Sequence, residues 1–337
     1  MNFKVLTMRV VPILLIALVV VRHCAAEERE EPMAQLMLQT LQARAKAHHW
    51  KTLIAAGNEV SLLGFDSPEP RSVYRAPKDN TYYDIRNGAL SPDASQIAFT
   101  QRPSSSKDPW KLGLFLLDLT SGSLHRLVEA DEFGGLCWSP DGKKLVYVSR
   151  EGKEDQDPPG YALRILDLHT RQSDVLVQGD EYDVTNQAWS PDGHQVLYML
   201  FASQDQKQNT LMIYDFPSRT VRKFVKGGAL ATWSPKSDRI TYRTIEEDGA
   251  VLHLIRPDGQ DDVILLRDKL DLNNNIVTPP LWSPDGEYLL YGRTFPPDPV
   301  GQVPYVFELS TKREAAVPAE ASYAGLWGFH SWSGKSP

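Results

Sequence analysis

The sequence predicts an all-β fold, a six-bladed β-propeller of four-stranded blades closed by strands from the two ends of the chain, with a short helix ahead of it. Three observations predict it. A Ser-Pro-Asp-Gly type of tetrad recurs five times, beginning at Ser91, Ser139, Ser190, Ser234 and Ser283, in steps of 48, 51, 44 and 49 residues. Trp138, Trp189, Trp233 and Trp282 stand immediately before four of them, and Leu90 takes that place in the first. Each tetrad opens the same succession of short strands, and a period of this length holding four strands is the pattern of a propeller blade.

The N-terminal residues are read apart from the repeats. Lys4 and Arg9 precede an apolar run, Val10–Val21, and Cys24-Ala25-Ala26 offers small residues for cleavage. This pattern predicts a secretory signal peptide over 1–26. The run is shorter than the ~20 residues of a spanning helix, so no stable membrane span is expected after cleavage. Arg22 and His23 are too bulky and charged for the lipid-modified-cysteine alternative at Cys24. Cleavage removes Lys4, Arg9 and Arg22 and no acid, which leaves the chain more acidic than its formal −7. Cys137 is then the one remaining cysteine, so no internal disulfide is expected, and its apolar neighbours Leu136 and Trp138 predict a buried structural thiol.

Residues 27–50 are expected to form a linker and a helix. Met33–Trp50 lacks Gly and Pro and places Met33, Leu36, Met37 and Leu41 at helical spacing, which predicts an amphipathic helix packed on the propeller. His48 and His49 point to different faces of such a helix and make a poor metal pair. The propeller is assigned to 51–337. Thr52–Ala55, Glu59–Leu63 and Arg71–Tyr74 read as strands. A further step of 50 residues from Ser283 reaches Ser333, whose Trp332-Ser333 pair repeats the start of a tetrad. The last blade is therefore expected to join Leu326–Trp332 to those three N-terminal strands.

Within each unit an alternating apolar strand follows the tetrad, as in Leu145–Val148, Val196–Tyr198 and Leu289–Tyr291. A second apolar strand ends in an acid at Asp118, Asp167, Asp215 and Glu308, and a last strand such as Val175–Val177 or Val263–Leu266 follows. The fourth unit departs, with Lys236 and Ser237 in its tetrad and Arg256-Pro257-Asp258-Gly259 as a second turn. Ser first, Pro second and Gly fourth suit a type I turn, with Asp free to accept nearby backbone amides. The repeated aspartates are accordingly read as turn residues and the tryptophans as wedges between sheets.

These Trp-Ser-Pro-Asp-Gly units resemble the repeats of the TolB-type six-bladed propeller, which also occur in prolyl-oligopeptidase-like enzymes. The resemblance covers roughly residues 50–337. It implies a propeller fold, and it also implies an α/β domain ahead of the propeller, for which residues 27–50 leave no room. In that family this domain engages membrane-protein partners.

Enzyme signatures are missing from the sequence: it has no Gly-x-Ser-x-Gly, no His-Glu-x-x-His, no phosphate-binding Gly loop and no Cys-x-x-Cys. No catalytic residue is assigned, and no cofactor is expected beyond a weak case for Ca²⁺. His125, His169, His194, His253 and His330 are the histidines open to a channel lyase, although His169 and His194 fall in tight turns.

With strands running from the axis outward, the tetrads and the third-to-fourth-strand turns share one face. The long loops 101–110, 150–160, 202–209, 293–304, 178–187 and 267–279 share the other, which is expected to be functional. Acids collect there: Glu129, Asp131 and Glu132; Asp180, Glu181 and Asp183; Glu246, Glu247 and Asp248. They predict attraction of a cationic protein or peptide, or of Ca²⁺, against the plainer alternative of a solvated rim. At the channel mouth the candidates are Arg86, Asn87, Thr185, Asn186, Thr278 and His330. Of all these, Arg86, Asn186, Thr278, His330, Asp180, Glu181 and Asp183 are the candidate binding residues. The expected protein is a secreted, periplasmic, monomeric and non-catalytic binding scaffold for a protein or peptide. The net acidity excludes a broad nucleic-acid interface. The alternative is a propeller lyase or hydrolase acting on a small molecule or saccharide in the central channel.

Overall fold

The computed structural model describes residues 51–56, 59–64, 71–76, 85–101, 111–150, 161–179, 183–201, 208–247, 249–267, 279–295, 298–316 and 332–333. The expected signal peptide and N-terminal helix lie outside them. The regular elements among the described residues are strands, grouped in six antiparallel sheets of four.

The first sheet contains β1 (Lys51–Ala56), β2 (Glu59–Gly64) and β3 (Arg71–Arg75). The second holds β4 (Arg86–Leu90), β5 (Gln96–Gln101), β6 (Leu112–Asp118) and β7 (Leu124–Ala130). The third holds β8 (Glu132–Trp138), β9 (Lys144–Arg150), β10 (Tyr161–Asp167) and β11 (Ser173–Gln178). The fourth is β12 (Asp183–Trp189), β13 (Gln195–Phe201), β14 (Thr210–Asp215) and β15 (Thr220–Lys226). The fifth is β16 (Ala229–Trp233), β17 (Ile240–Glu246), β18 (Gly249–Ile255) and β19 (Val263–Arg267). The sixth is β20 (Leu281–Trp282), β21 (Tyr288–Phe295), β22 (Asp298–Glu308) and β23 (Arg313–Ala316).

The first sheet takes its fourth strand from the far end of the chain. β24 (Trp332–Ser333) lies antiparallel to β1, with Trp332 opposite Thr52 and Ser333 opposite Lys51. This is the pairing of chain ends that the spacing predicted, although residues 326–331 of the expected strand lie outside the described residues.

First strands of successive sheets lie side by side: β4 against β8, β8 against β12, β12 against β16 and β16 against β20. The core therefore sits between sheets. One cluster joins Ala89, Ala98 and Leu114 of the second sheet to Phe133, Trp138 and Leu145 of the third. Trp138 fills this seam and donates its Nε1–H to the Ala89 carbonyl at 3.0 Å, and Trp233 does the same to Ala188 at 3.2 Å. The tryptophans are wedges, as expected, and truncating such a side chain typically costs ~3–5 kcal/mol.

Second strands differ from the expected alternation. β9 is buried without interruption from Leu145 to Ser149, because a neighbouring sheet covers each of its faces. The outermost strands are largely exposed instead, Val175, Val221 and Val263 among them.

Candidate functional site

The tetrads form one repeated hydrogen-bonding unit. Ser190 Oγ–H donates to Asp192 at 2.6 Å, the His194 amide donates to the same carboxylate at 2.9 Å, and the Gln195 amide donates back to Ser190 Oγ at 2.9 Å. Ser91 with Asp93 and Ser139 with Asp141 repeat this pattern. These serine hydroxyls, with the backbone amides after them, hold Asp93 and Asp141 below the usual carboxylate range. The fourth residue adopts a left-handed conformation, with φ of 70° at Gly142 and 79° at Gly193, which is why glycine recurs there. The acids that end the third strands act likewise. Asp118 accepts the Thr120 and Ser121 amides, and Asp215 accepts the Gln195 side chain and the Ser218 amide. These bonds draw the Asp215 carboxyl down to about 2. The repeated acids are thus consumed in turns.

The channel-mouth candidates fall on a second repeated feature, a bulge in the innermost strand. Two residues oppose one at Asn87-Gly88 in β4, Gly134-Gly135 in β8, Asn186-Gln187 in β12 and Leu230-Ala231 in β16. Arg86 stands just before its bulge, as Thr185 does, and Asn186 stands within its own, as Asn87 does. Asn87 donates its side-chain amide to the Phe133 carbonyl of the next sheet at 3.3 Å. Gln187 presents a buried amide with no partner among the described residues and crowds Gly135, where an added Cβ would meet it at 2.9 Å. Thr278 and His330 lie outside the described residues.

On the long-loop face, Asp180, Glu181 and Asp248 also lie outside them, and Asp183 begins β12. The neighbouring acids are matched by cations that residue counting overlooked. Glu129 pairs with Arg126 at 2.7 Å, Asp131 with Lys111 at 3.1 Å, Glu132 with Arg150 at 3.1 Å and Glu246 with Arg267 at 2.6 Å. Glu132 also accepts the Tyr161 hydroxyl at 2.7 Å. Among the described residues, no three His, Cys, Asp or Glu side chains are grouped to hold a metal ion.

The histidines are scattered. His125 lies on the outer strand β7, and His169 and His194 sit in turns. His253 is buried in a network the sequence reading missed. Its Nε2 meets Thr244 Oγ1 at 3.0 Å, its Nδ1 meets Asp262 at 3.2 Å, and the stacked Tyr242 donates to Asp262 at 2.7 Å. The network straps the end of the second turn onto β17, and burial, with Asp262 beside it, drives the Tyr242 phenol well above its usual range. Cys137 is inert in the expected way, since burial pushes its thiol up to about 12.

A cavity of about 510 Å³ opens between the fifth and sixth sheets, on the tetrad face opposite the long loops. Leu254, Val263, Leu265 and Trp282 supply an apolar lining, and Lys236, Arg239 and Lys312 add three cations. Three acids line it as well. Asp238 accepts Ser234 Oγ at 2.7 Å, Asp285 accepts the Glu287 amide at 3.1 Å, and Asp261 lies 3.5 Å from Arg256. The signal in the sequence was the fourth tetrad, the one that replaces Asp with Lys236.

No family model matches the chain. It is 25% identical over 250 residues to an uncharacterized protein of Agrobacterium fabrum, an alignment covering 70% of this chain and 78% of that one. Its structure is similar to TolB from Acinetobacter baumannii, with a TM-score of 0.62 at 17% identity, covering 92% of this chain and 73% of TolB. It is also similar to an oligogalacturonate lyase solved in complex with manganese, with a TM-score of 0.57 at 16% identity, covering 79% of this chain and 78% of the lyase. The fold is a TolB-like β-propeller.

Proposed function

We propose that the chain is a secreted, periplasmic scaffold whose six sheets close as a six-bladed ring and which binds a protein or peptide partner without catalysing a reaction on it. The observation that carries this reading is the use made of the repeated acids. Asp93, Asp141 and Asp192 each accept a serine hydroxyl and a backbone amide within their own turn, so the residues most suggestive of chemistry serve the architecture. Function then falls to surfaces that vary between sheets, which suits recognition of a partner. The likeness to TolB supports the same reading.

An affinity pull-down of the mature chain from its own cell envelope tests it. A stable protein partner is expected, and intact-mass analysis of the secreted bait should place its first residue at Glu27. Reversal of Asp180, Glu181 and Asp183 to Lys should weaken capture of a cationic partner while leaving the melting temperature nearly unchanged. Capture unaffected by that reversal and by salt would leave the long-loop face a solvated rim. Ring closure has its own test. Truncation after Tyr323 removes β24 and should produce a chain that aggregates or melts far below the intact protein.

The likeness to the oligogalacturonate lyase favours a second reading, a lyase or hydrolase acting on a saccharide in the channel. Release of unsaturated or shortened products from oligosaccharides by the purified chain, with no partner captured, would replace the scaffold reading.

A further inference from the structure

We infer that the cavity between the fifth and sixth sheets is the docking surface of the chain's own N-terminal segment, the uncharged stretch Pro32–Ala43, which covers it with its apolar side. The inference goes beyond the scaffold reading and rests on one part of it, the closing of the six sheets as a ring.

Charge is the first support. Lys236, Arg239 and Lys312 line the cavity together with Asp238, Asp261 and Asp285, so its formal charges cancel. Such a lining draws neither an anion nor a cation from a distance, and the apolar part decides what fits. Leu254, Val263, Leu265, Trp282 and Leu309 supply that part, and Val263 stands 42% exposed. The matching occupant is apolar and carries no charge.

The sequence of the segment is the second support. Charged residues make up 23% of the chain, yet none falls between Pro32 and Ala43. Met33, Leu36, Met37 and Leu41 share one side of that run at helical spacing, and methionine adapts to irregular apolar surfaces. The run lies outside the described residues, so its destination is argued from where the chain enters β1.

That entry point is the third support. β24 and β1 stand as the first and second strands of their sheet, with Ser333 opposite Lys51. In the second to sixth sheets the tetrad joins these two strands, so the chain reaches Lys51 from the tetrad face, where the cavity opens. In a closed ring only the sixth sheet separates the first from the cavity. With packed sheets ~10 Å apart, the cavity lies about 15 Å from β1. Residues 33–50 span ~27 Å as a helix, enough to lay the apolar run across it. The tether also gives the segment an effective concentration in the millimolar range, an advantage that a separate apolar molecule or second chain lacks.

The test is a photo-cross-link in the full chain that starts at Glu27. Leu36→Cys adds a thiol that takes benzophenone maleimide, while Cys137 is buried with its thiol held at about 12 and stays unlabelled. Irradiation should link position 36 to Leu254, Val263, Leu265 or Leu309 in a product of monomer mass, read by peptide mass spectrometry. The same label at Gln35→Cys, on the opposite side of the run, should not reach the cavity. Val263→Asp should lower the Leu36→Cys yield about tenfold and speed tryptic cleavage after Arg44 by a similar factor. It should leave the melting temperature nearly unchanged, because Val263 is exposed on an outermost strand. Links to another part of the chain, links only between two copies, or a yield indifferent to Val263→Asp would overturn the docking. If truncation after Tyr323 destabilises the chain as expected and no cavity link forms, the docking alone is refuted. A harmless truncation together with no cavity link would refute the ring as well.

Discussion

The fourth and fifth sheets build the same turn from different residues. In the fourth, Ser190 is held by Asp192 two positions on, and Gly193 takes the left-handed place. In the fifth, Ser234 is held by Asp238 four positions on, and Ser237 occupies the left-handed place at φ 59°. The closing bond is the same in both, Gly193 N to Ser190 O at 2.9 Å and Ser237 N to Ser234 O at 3.0 Å. What recurs is a buried serine hydroxyl with a carboxylate acceptor, and the position supplying the carboxylate is free to move. The move has two effects. It leaves Lys236 exposed at the cavity between the fifth and sixth sheets, and it places Ser237 Oγ to accept the Asp192 amide from the neighbouring turn at 2.9 Å.

If the hydroxyl–carboxylate pair is the common requirement, Asp192→Ala and Asp238→Ala should cost alike. Each strands a serine that is almost fully buried, Ser190 at 1% and Ser234 at 4% exposure, and such a loss is worth ~1–3 kcal/mol in urea unfolding. A silent Asp238→Ala would break the equivalence. Adding Lys236→Asp to Asp238→Ala sharpens it, since returning the acid to the third position should recover most of the lost stability. Gly193→Ala should cost about 1 kcal/mol, because its φ of 79° is unfavourable for a residue with a Cβ even though open space surrounds the site. That strain is one the fifth sheet already carries at Ser237.

The smallest expected effect concerns acid. Asp215 ends the third strand of the fourth sheet with its carboxyl held at about 2, below its ordinary 3.8. A depressed carboxyl stabilises the fold above the ordinary value, and the contribution fades as pH falls from about 3.8 through about 2. The fifth sheet ends the same strand at Ile255, before Arg256, with no acid there. Amide shifts in a pH titration should therefore move at Ser218, whose amide donates to Asp215, over that window more than at Arg256, which follows the end of the same strand of the fifth sheet with no carboxylate of its own. Equal movement at both would remove this distinction.

Turn chemistry was the most legible layer of the sequence because it acts over a few neighbouring positions. The tetrads, the strand-ending acids and the tryptophan wedges all stand where their spacing placed them. The three N-terminal strands were visible to within one or two residues of β1, β2 and β3, since their apolar runs are short and bounded by polar turns. The ion pairs of the long-loop face were out of reach for want of tertiary partners. Glu132 meets Arg150 only because β8 and β9 run side by side, and Asp131 meets Lys111 across the sheet boundary. The cavity between the fifth and sixth sheets was half visible. Lys236 announced an exception, but the cavity depends on how Leu254 and Trp282 of adjoining sheets pack, which no local pattern records.

The pairing of β1 with β24 sets an order of events during synthesis. Five sheets are continuous stretches of chain and can assemble in the order in which they leave the ribosome. The first sheet cannot. At ~5–20 residues per second, β1 waits on the order of tens of seconds for Trp332 and Ser333 to emerge. Through that interval its inner edge keeps unpaired amides and carbonyls, the kind of surface that recruits other strands. Keeping β1 vacant until its own last strand arrives is therefore a demand that this closure places on synthesis.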